Sequence, residues 1–361
     1  MAGSTLAVSA SVPRERSVAR GDGGFIVGRV YDGVCFILAP LVAVLLVELA
    51  SRSTWAMQPT SLFGVNDRPL ALFLSVWTFG HLFAVVFRSH ANRDIFVQHR
   101  TRFVVVPIVV FVAMVFSDWA MVTGVVLIVF WDVYHTSMQN FGLCRIYDGR
   151  LGNPAQTGRL LDVWLNHLIY IGPILAGASL GPTLATLQSF KEVGWKAPAH
   201  WIGVAIAWQP TVRWIVIVGG VAFVVFYAWW YARRIREGYR FSTQNLALLL
   251  SVAVVSILAW GFMTPWKAFF VSNFFHGLQY FAIVWWIEKK NIARVLPMPK
   301  LGASALPTFL AFAAVLAVVG LGYRGWGDHH VLRSTGALAA VISLMHFWCD
   351  GFVWSVRRRE V

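Results

Sequence analysis

The chain has 361 residues, 58% of them hydrophobic and 13% charged, with a formal net charge of +14 and a mean hydropathy of +0.65. This balance excludes an ordinary soluble domain, in which about a quarter of the residues are charged, and describes a chain solvated by lipid. Nor is the positive excess a nucleic-acid footprint, because Lys and Arg fall in alternate connections between apolar runs, as expected of a polytopic membrane protein.

Residues 1–24 are rich in Ser, Ala, Gly and Arg and lack a long apolar core. They read as a disordered basic tail rather than a cleaved signal peptide. Residues 25–356 read as a single all-α transmembrane domain, and 357–361 as a short basic tail. Within that domain, apolar runs of about 20 residues, enough to cross about 30 Å of hydrocarbon, predict about ten transmembrane helices. The predicted spans are 25–49, 70–88, 102–117, 119–141, 160–182, 211–232, 243–262, 267–287, 303–323 and 334–355. The third and fourth form a hairpin turned at Ser117-Asp118. The connection 183–210, with Trp195, Trp201 and Trp208, is expected to lie at the membrane interface. About 22 of the 30 Lys and Arg residues fall on one side of this arrangement, which places both termini in the cytoplasm, with a bacterial cytoplasmic membrane as the expected location. Cys35, Cys144 and Cys349 are too few and too scattered for a disulfide framework or a thiolate zinc site.

Polar residues within these spans carry the functional signal, since an unpaired polar side chain costs several kcal/mol in hydrocarbon. On the fourth span Asp132, His135 and Gln139 stack on one helix face by their spacing of three and four. Asn273, His276, Gln279 and Tyr280 share a face on the eighth, and His346 has Asp350 four residues on. At about 1.5 Å of rise per residue, His81, His135, His167, His276 and His346 lie about 10–18 Å from the nearest basic residue at the cytoplasmic side. Five helices thus bring one histidine each to a similar depth. His167 reads as a helix-to-helix hydrogen-bond partner. His90 and His99, in the adjoining loop beside Arg88, Arg93, Arg100 and Arg102, read either as a solvated basic loop near lipid headgroups or as further ligands. Both His81 and His90 can be ligands only if the chain turns near Ser89. His200, His329 and His330 fall on the outer side as surface residues.

Imidazoles with a few carboxylates suit iron, copper or zinc, and the scarcity of thiolates argues against iron–sulfur clusters. The expected metal ligands are His81, His135, His276 and His346, with His90, His99 and Asp350 next. Asp132, Gln139, Asn273, Gln279 and Tyr280 are the expected orienting and catalytic groups.

Histidines converging just under the cytoplasmic surface of a helical membrane protein resemble, in site class, the integral-membrane non-haem di-iron oxygenases that desaturate or hydroxylate lipids. That resemblance implies iron, mononuclear or dinuclear, a hydrophobic or lipid substrate entering from the bilayer, and electrons from a cytoplasmic electron-transfer protein. No dinucleotide or flavin fingerprint is present in the chain. The basic inner surface would suit an acidic electron donor or anionic headgroups. The histidine boxes of that family contain adjacent pairs, whereas the one adjacent pair here, His329-His330, falls on the opposite side.

Three other readings use the same residues. The histidines could be axial ligands to haem in a quinone-linked redox protein. Phe275-His276-Gly277 resembles the Trp-His-Gly motif of membrane-bound O-acyltransferases, whose histidine acts as a base, but leaves His81, His135 and His346 unused. A transporter for metal ions or small molecules would line its path with the polar faces, yet these crowd one half of the spans and no paired Gly/Pro helix breaks are evident.

Overall fold

The computed structural model describes residues 23–296, 305–329 and 333–354; residues 1–22 of the expected tail 1–24, the expected tail 357–361, His330 and the side chain of His329 lie outside the described residues. The architecture is all-α apart from one hairpin, β1 (Thr60–Leu62) with β2 (Val65–Asp67), turned at Gly64 with φ +79°. The long helices are α1 (Ala39–Ala50), α2 (Pro69–Ser89), α3 (Arg93–Phe116), α4 (Asp118–Arg150) and α5 (Arg159–Ala176). They continue as α6 (Ala197–Arg236), α7 (Thr243–Phe262), α8 (Pro265–Val295), α9 (Ala305–His329) and α10 (Arg333–Val353).

Seven of the described helices are long and apolar enough to cross a membrane, or up to nine if each of two bent pairs is one span. The bent pairs are Arg29–Ile37 with α1, at 56°, and α5 with Leu180–Val193, at 88°. The helix left out of that count is α8, although the sequence predicts a span at 267–287. Its position explains the difference. It packs against α1, α2, α7 and α9 and buries sixteen residues, among them Ser272, Asn273, His276, Gln279 and Glu288. A helix sheathed by protein needs no apolar surface for lipid, so it can carry the polar face that function requires. At the other extreme, the most apolar stretch of α6 has no buried residue and faces outward along its length.

Two boundaries differ from those expected. The connection 183–210 is not one interfacial loop: 3-10 turns end at Val193, and α6 then runs unbroken from Ala197 through Pro210, carrying Trp201 and Trp208. Pro210 removes one backbone donor, and a helix exposed on this side loses little by it. The fourth span, expected to end at 141, continues to Arg150. The reason lies in Arg145, whose guanidinium is held by Asp148 at 3.3 Å and by Asp162 of α5 at 2.6 Å, so a buried charge inside the helix is paired rather than terminating it.

Short contacts sort the helix ends. The C-terminal ends of α2, α8 and α10 meet where Arg88 pairs with Glu288 and donates to the Val353 carbonyl at 3.0 Å. The C-terminal end of α4 meets the N-terminal end of α5 through Arg145. At the opposite end Lys267 of α8 pairs with Glu48 of α1 at 2.7 Å, and Arg333 of α10 pairs with Asp118 of α4 at 2.6 Å. Hence α2, α4, α8 and α10 all run towards one basic end. Glycines set the closest approach: a Cβ at Gly320 of α9 would stand 2.5 Å from the Val76 carbonyl of α2, so these two backbones pack at a distance only small residues permit.

Candidate metal centre

The four parallel helices α2, α4, α8 and α10 contribute His81, His135, His276 and His346. One ligand atom from each can be chosen so that all four lie within 4.8 Å of one another, and among the described residues this is the one such group of His, Cys, Asp or Glu. The rings form a closed circuit. His81 lies 4.7 Å from His276 and 4.5 Å from His346, while His135 lies 5.0 Å and 4.9 Å from the same two, centroid to centroid. All four are buried, with relative exposures of 5% or less.

Hydrogen bonding within the protein does not account for them. Both ring nitrogens of His81 and His276, and Nε2 of His135 and His346, are buried without a hydrogen-bond partner. Leaving a buried donor or acceptor unsatisfied costs about 1–3 kcal/mol each, and one nitrogen from each of the four rings can face a common partner. Two ligands each about 2.1 Å from a metal are about 3.4 Å apart in a tetrahedral shell and about 4.2 Å apart across a square one, so nitrogens within 4.8 Å of one another close into one shell by a contraction of about 0.6–1.4 Å at most. The fit extends to the tautomer. His346 Nδ1 lies 3.2 Å from the Leu82 carbonyl, to which it can only donate, leaving the Nε2 lone pair towards the cluster.

Asp350 stands at the edge of the circuit, its Oδ2 3.7 Å from Nε2 of both His135 and His346. These separations exceed a hydrogen bond and match the spacing of neighbouring ligands around one metal. Its other oxygen, Oδ1, accepts from the Tyr280 hydroxyl at 2.8 Å and from Trp354 Nε1 at 2.9 Å. One carboxylate oxygen is thus tied to the protein and the other is presented to the imidazoles.

The remaining expected residues divide. Tyr280 stacks against His346 at 4.7 Å and holds Asp350. Gln139 donates to the His276 carbonyl at 3.1 Å and to Gln279 Oε1 at 3.2 Å, and Gln279 donates to the Phe36 carbonyl at 3.0 Å, so this pair locks α4 to α8 rather than touching an imidazole nitrogen. Asn273 caps back onto its own helix at the Phe269 carbonyl, 3.0 Å away. Asp132 is turned to the region of Tyr170, whose hydroxyl bonds Ser272. His90 and His99 do not join the group of four. The chain does turn after Ser89, but His90 Nδ1 then lies 2.8 Å from Ser89 Oγ and its ring packs beside Phe96 and Phe103. His99 marks the break in α3, at φ −124° and ψ 17°, with its ring 4.8 Å from Phe352. His167 pairs with Ser137 Oγ at 2.7 Å between α5 and α4.

Sequence reasoning passed over Trp354. The signal was available as the Asp350 to Trp354 spacing of four on one helix. It also passed over Arg88 and Glu288, whose pair sits beneath Trp354 with the guanidinium carbon 4.8 Å from the indole.

A cavity of about 690 Å³ opens from His135, Tyr280 and Asp350 and runs along α4 past Phe141 to Arg145 and Gly149, bounded across from α4 by Phe347 and Phe352 of α10. Its volume is in the range of a site for one small molecule. No family of known proteins, no curated protein and no solved structure matches this chain.

Proposed function

We propose that the protein is a membrane-embedded, metal-dependent oxidoreductase of oxygenase, desaturase or hydroxylase type, acting on a hydrophobic substrate. The reading rests on the four buried imidazoles from four helices, each with at least one ring nitrogen that has no other partner. His81, His135, His276 and His346 would hold the metal, and Asp350 would place one negative charge beside it, reducing the cost of a divalent cation at this depth. Neutral imidazole and carboxylate suit iron, which when bound supplies one-electron and dioxygen chemistry. The chain's own part is to fix the ligands by the Leu82 carbonyl, Tyr280 and Trp354, to exclude water with the apolar wall of α10, and to admit substrate through the cavity. The basic end would face the cytoplasm, where an electron-transfer protein can reach it.

Haem is disfavoured by the same geometry. Axial imidazoles need a broad macrocycle between them, and here each facing pair has the other two imidazoles in that plane. An acyltransferase base at His276 is disfavoured because three further imidazoles crowd it.

Elemental analysis of purified protein tests the proposal. About one transition metal per chain is expected, with no Soret band. His135→Ala and His276→Ala should each lose the metal, while His167→Ala, away from the cluster, should keep it. Wild-type protein that neither retains metal nor takes it up on reconstitution, or single variants that retain it fully, would overturn the reading.

A further inference from the structure

The cavity is apolar over most of its length, and Arg145 and Arg159 line the part away from the histidines. The Arg159 guanidinium carbon sits 5.4 Å from the Phe141 ring, and that of Arg102 sits 5.1 Å from the Phe352 ring. Both phenylalanines line the cavity. Arg145, deeper in the wall, is committed: it pairs with Asp148 and Asp162 and donates to the carbonyls of Pro154, Ala155 and Thr157. Arg159 itself lines the cavity beside Phe141 and has no carboxylate partner among the described residues, whereas Arg102 lies against Phe352 outside that lining.

We infer that the cavity takes a single-chain amphiphile with an anionic head, carboxylate or phosphate. The head sits at Arg159, and the apolar tail extends between α4 and α10 to the four histidines. Guanidinium groups favour these anions because they bind them with paired, charge-assisted hydrogen bonds. From His135 to Gly149, both in the cavity wall, the axial rise along α4 is about 21 Å, so the cavity is long enough for one medium alkyl chain. A cavity of about 690 Å³ accommodates such a chain but not a two-chain phospholipid. That this ligand is the substrate rests on the metal-site reading; its binding does not.

The test uses full-length protein in discs of neutral lipid, with dodecanoate, dodecyl phosphate and dodecanol as probes. The two anions should bind about tenfold or more tighter than the alcohol, and Arg159→Gln should abolish that difference. With Mn²⁺ loaded, the ¹⁹F signal of dodecanoate labelled at the methyl end should broaden far more than that of a probe labelled beside the carboxylate. Equal binding of the alcohol, an unaltered preference in Arg159→Gln, or broadening at the carboxylate end instead would overturn the inference. The two readings fail separately. Anion-selective binding that survives in a chain unable to hold any metal would overturn the centre and keep the ligand class, whereas a retained metal with indifference to head charge would do the reverse.

Discussion

Asp350 is the side chain on which the centre turns. Its Oδ1 is fixed by Tyr280 and Trp354 and its Oδ2 is left for the imidazoles, so a substitution there changes charge beside the four histidines without opening a large void. Outer partners of a metal ligand typically change affinity by about 10–100-fold, and that is the loss expected for Tyr280→Phe and Trp354→Phe in competition with a chelator. Asp350→Ala should lose more than either. A chelator midpoint unmoved in all three variants would remove Asp350 from the site. Histidines 81, 135, 276 and 346 were legible in the sequence because helical rise places them at one depth and burial of a polar group in lipid demands a reason. His90 and His99 were not separable from them by that criterion. What separates them is local: a turn at Ser89 and a helix break at His99 send both rings against Phe103.

Helices α2, α8 and α10 are joined at their basic ends by an ion pair and at their middles by close packing. Arg88 and Glu288 are buried to 4% and 1% side-chain exposure, and Asn92 and Asn291 also donate to Glu288. Removing one partner leaves an uncompensated buried charge. Glu288→Ala should therefore cost about 3–5 kcal/mol, read as a lowered unfolding temperature in detergent, while Arg88→Met/Glu288→Leu should recover much of the loss. At the α2–α9 contact Gly320→Leu would set a side chain into the Val76 backbone, and a destabilisation of about 1–3 kcal/mol is expected in the same measurement. Because Gly80, facing Leu316 of α9, precedes His81, this variant should also loosen metal retention. Unchanged thermal unfolding would show that the helices can separate freely. The polar face of α8 was readable as Asn273, His276, Gln279 and Tyr280, but its central position was not, since periodicity reveals which side of a helix is polar and not what surrounds it.

For the molecule as a whole, the end carrying Arg88, Arg145 and Arg159 is expected in the cytoplasm and the β1–β2 hairpin outside. Ala155 and Ser61 are exposed at these two ends, and Cys144 and Cys349 are buried. Ala155→Cys should react with an impermeant thiol reagent only from the cytoplasmic side, and Ser61→Cys only from the other. The opposite pattern would invert the orientation and move the basic end of the cavity away from cytoplasmic donors. Composition and charge placement alone determined that the chain is a bundle of apolar helices with histidines towards one end, because these follow from transfer free energies and helical rise, which act residue by residue. Only the tertiary structure decided that four of the ten histidines meet in one shell, with Asp350 turned towards them and a cavity alongside. Which helices become neighbours depends on glycine-lined contacts, buried ion pairs and side-chain interlock between segments far apart in the chain, and no local pattern encodes those.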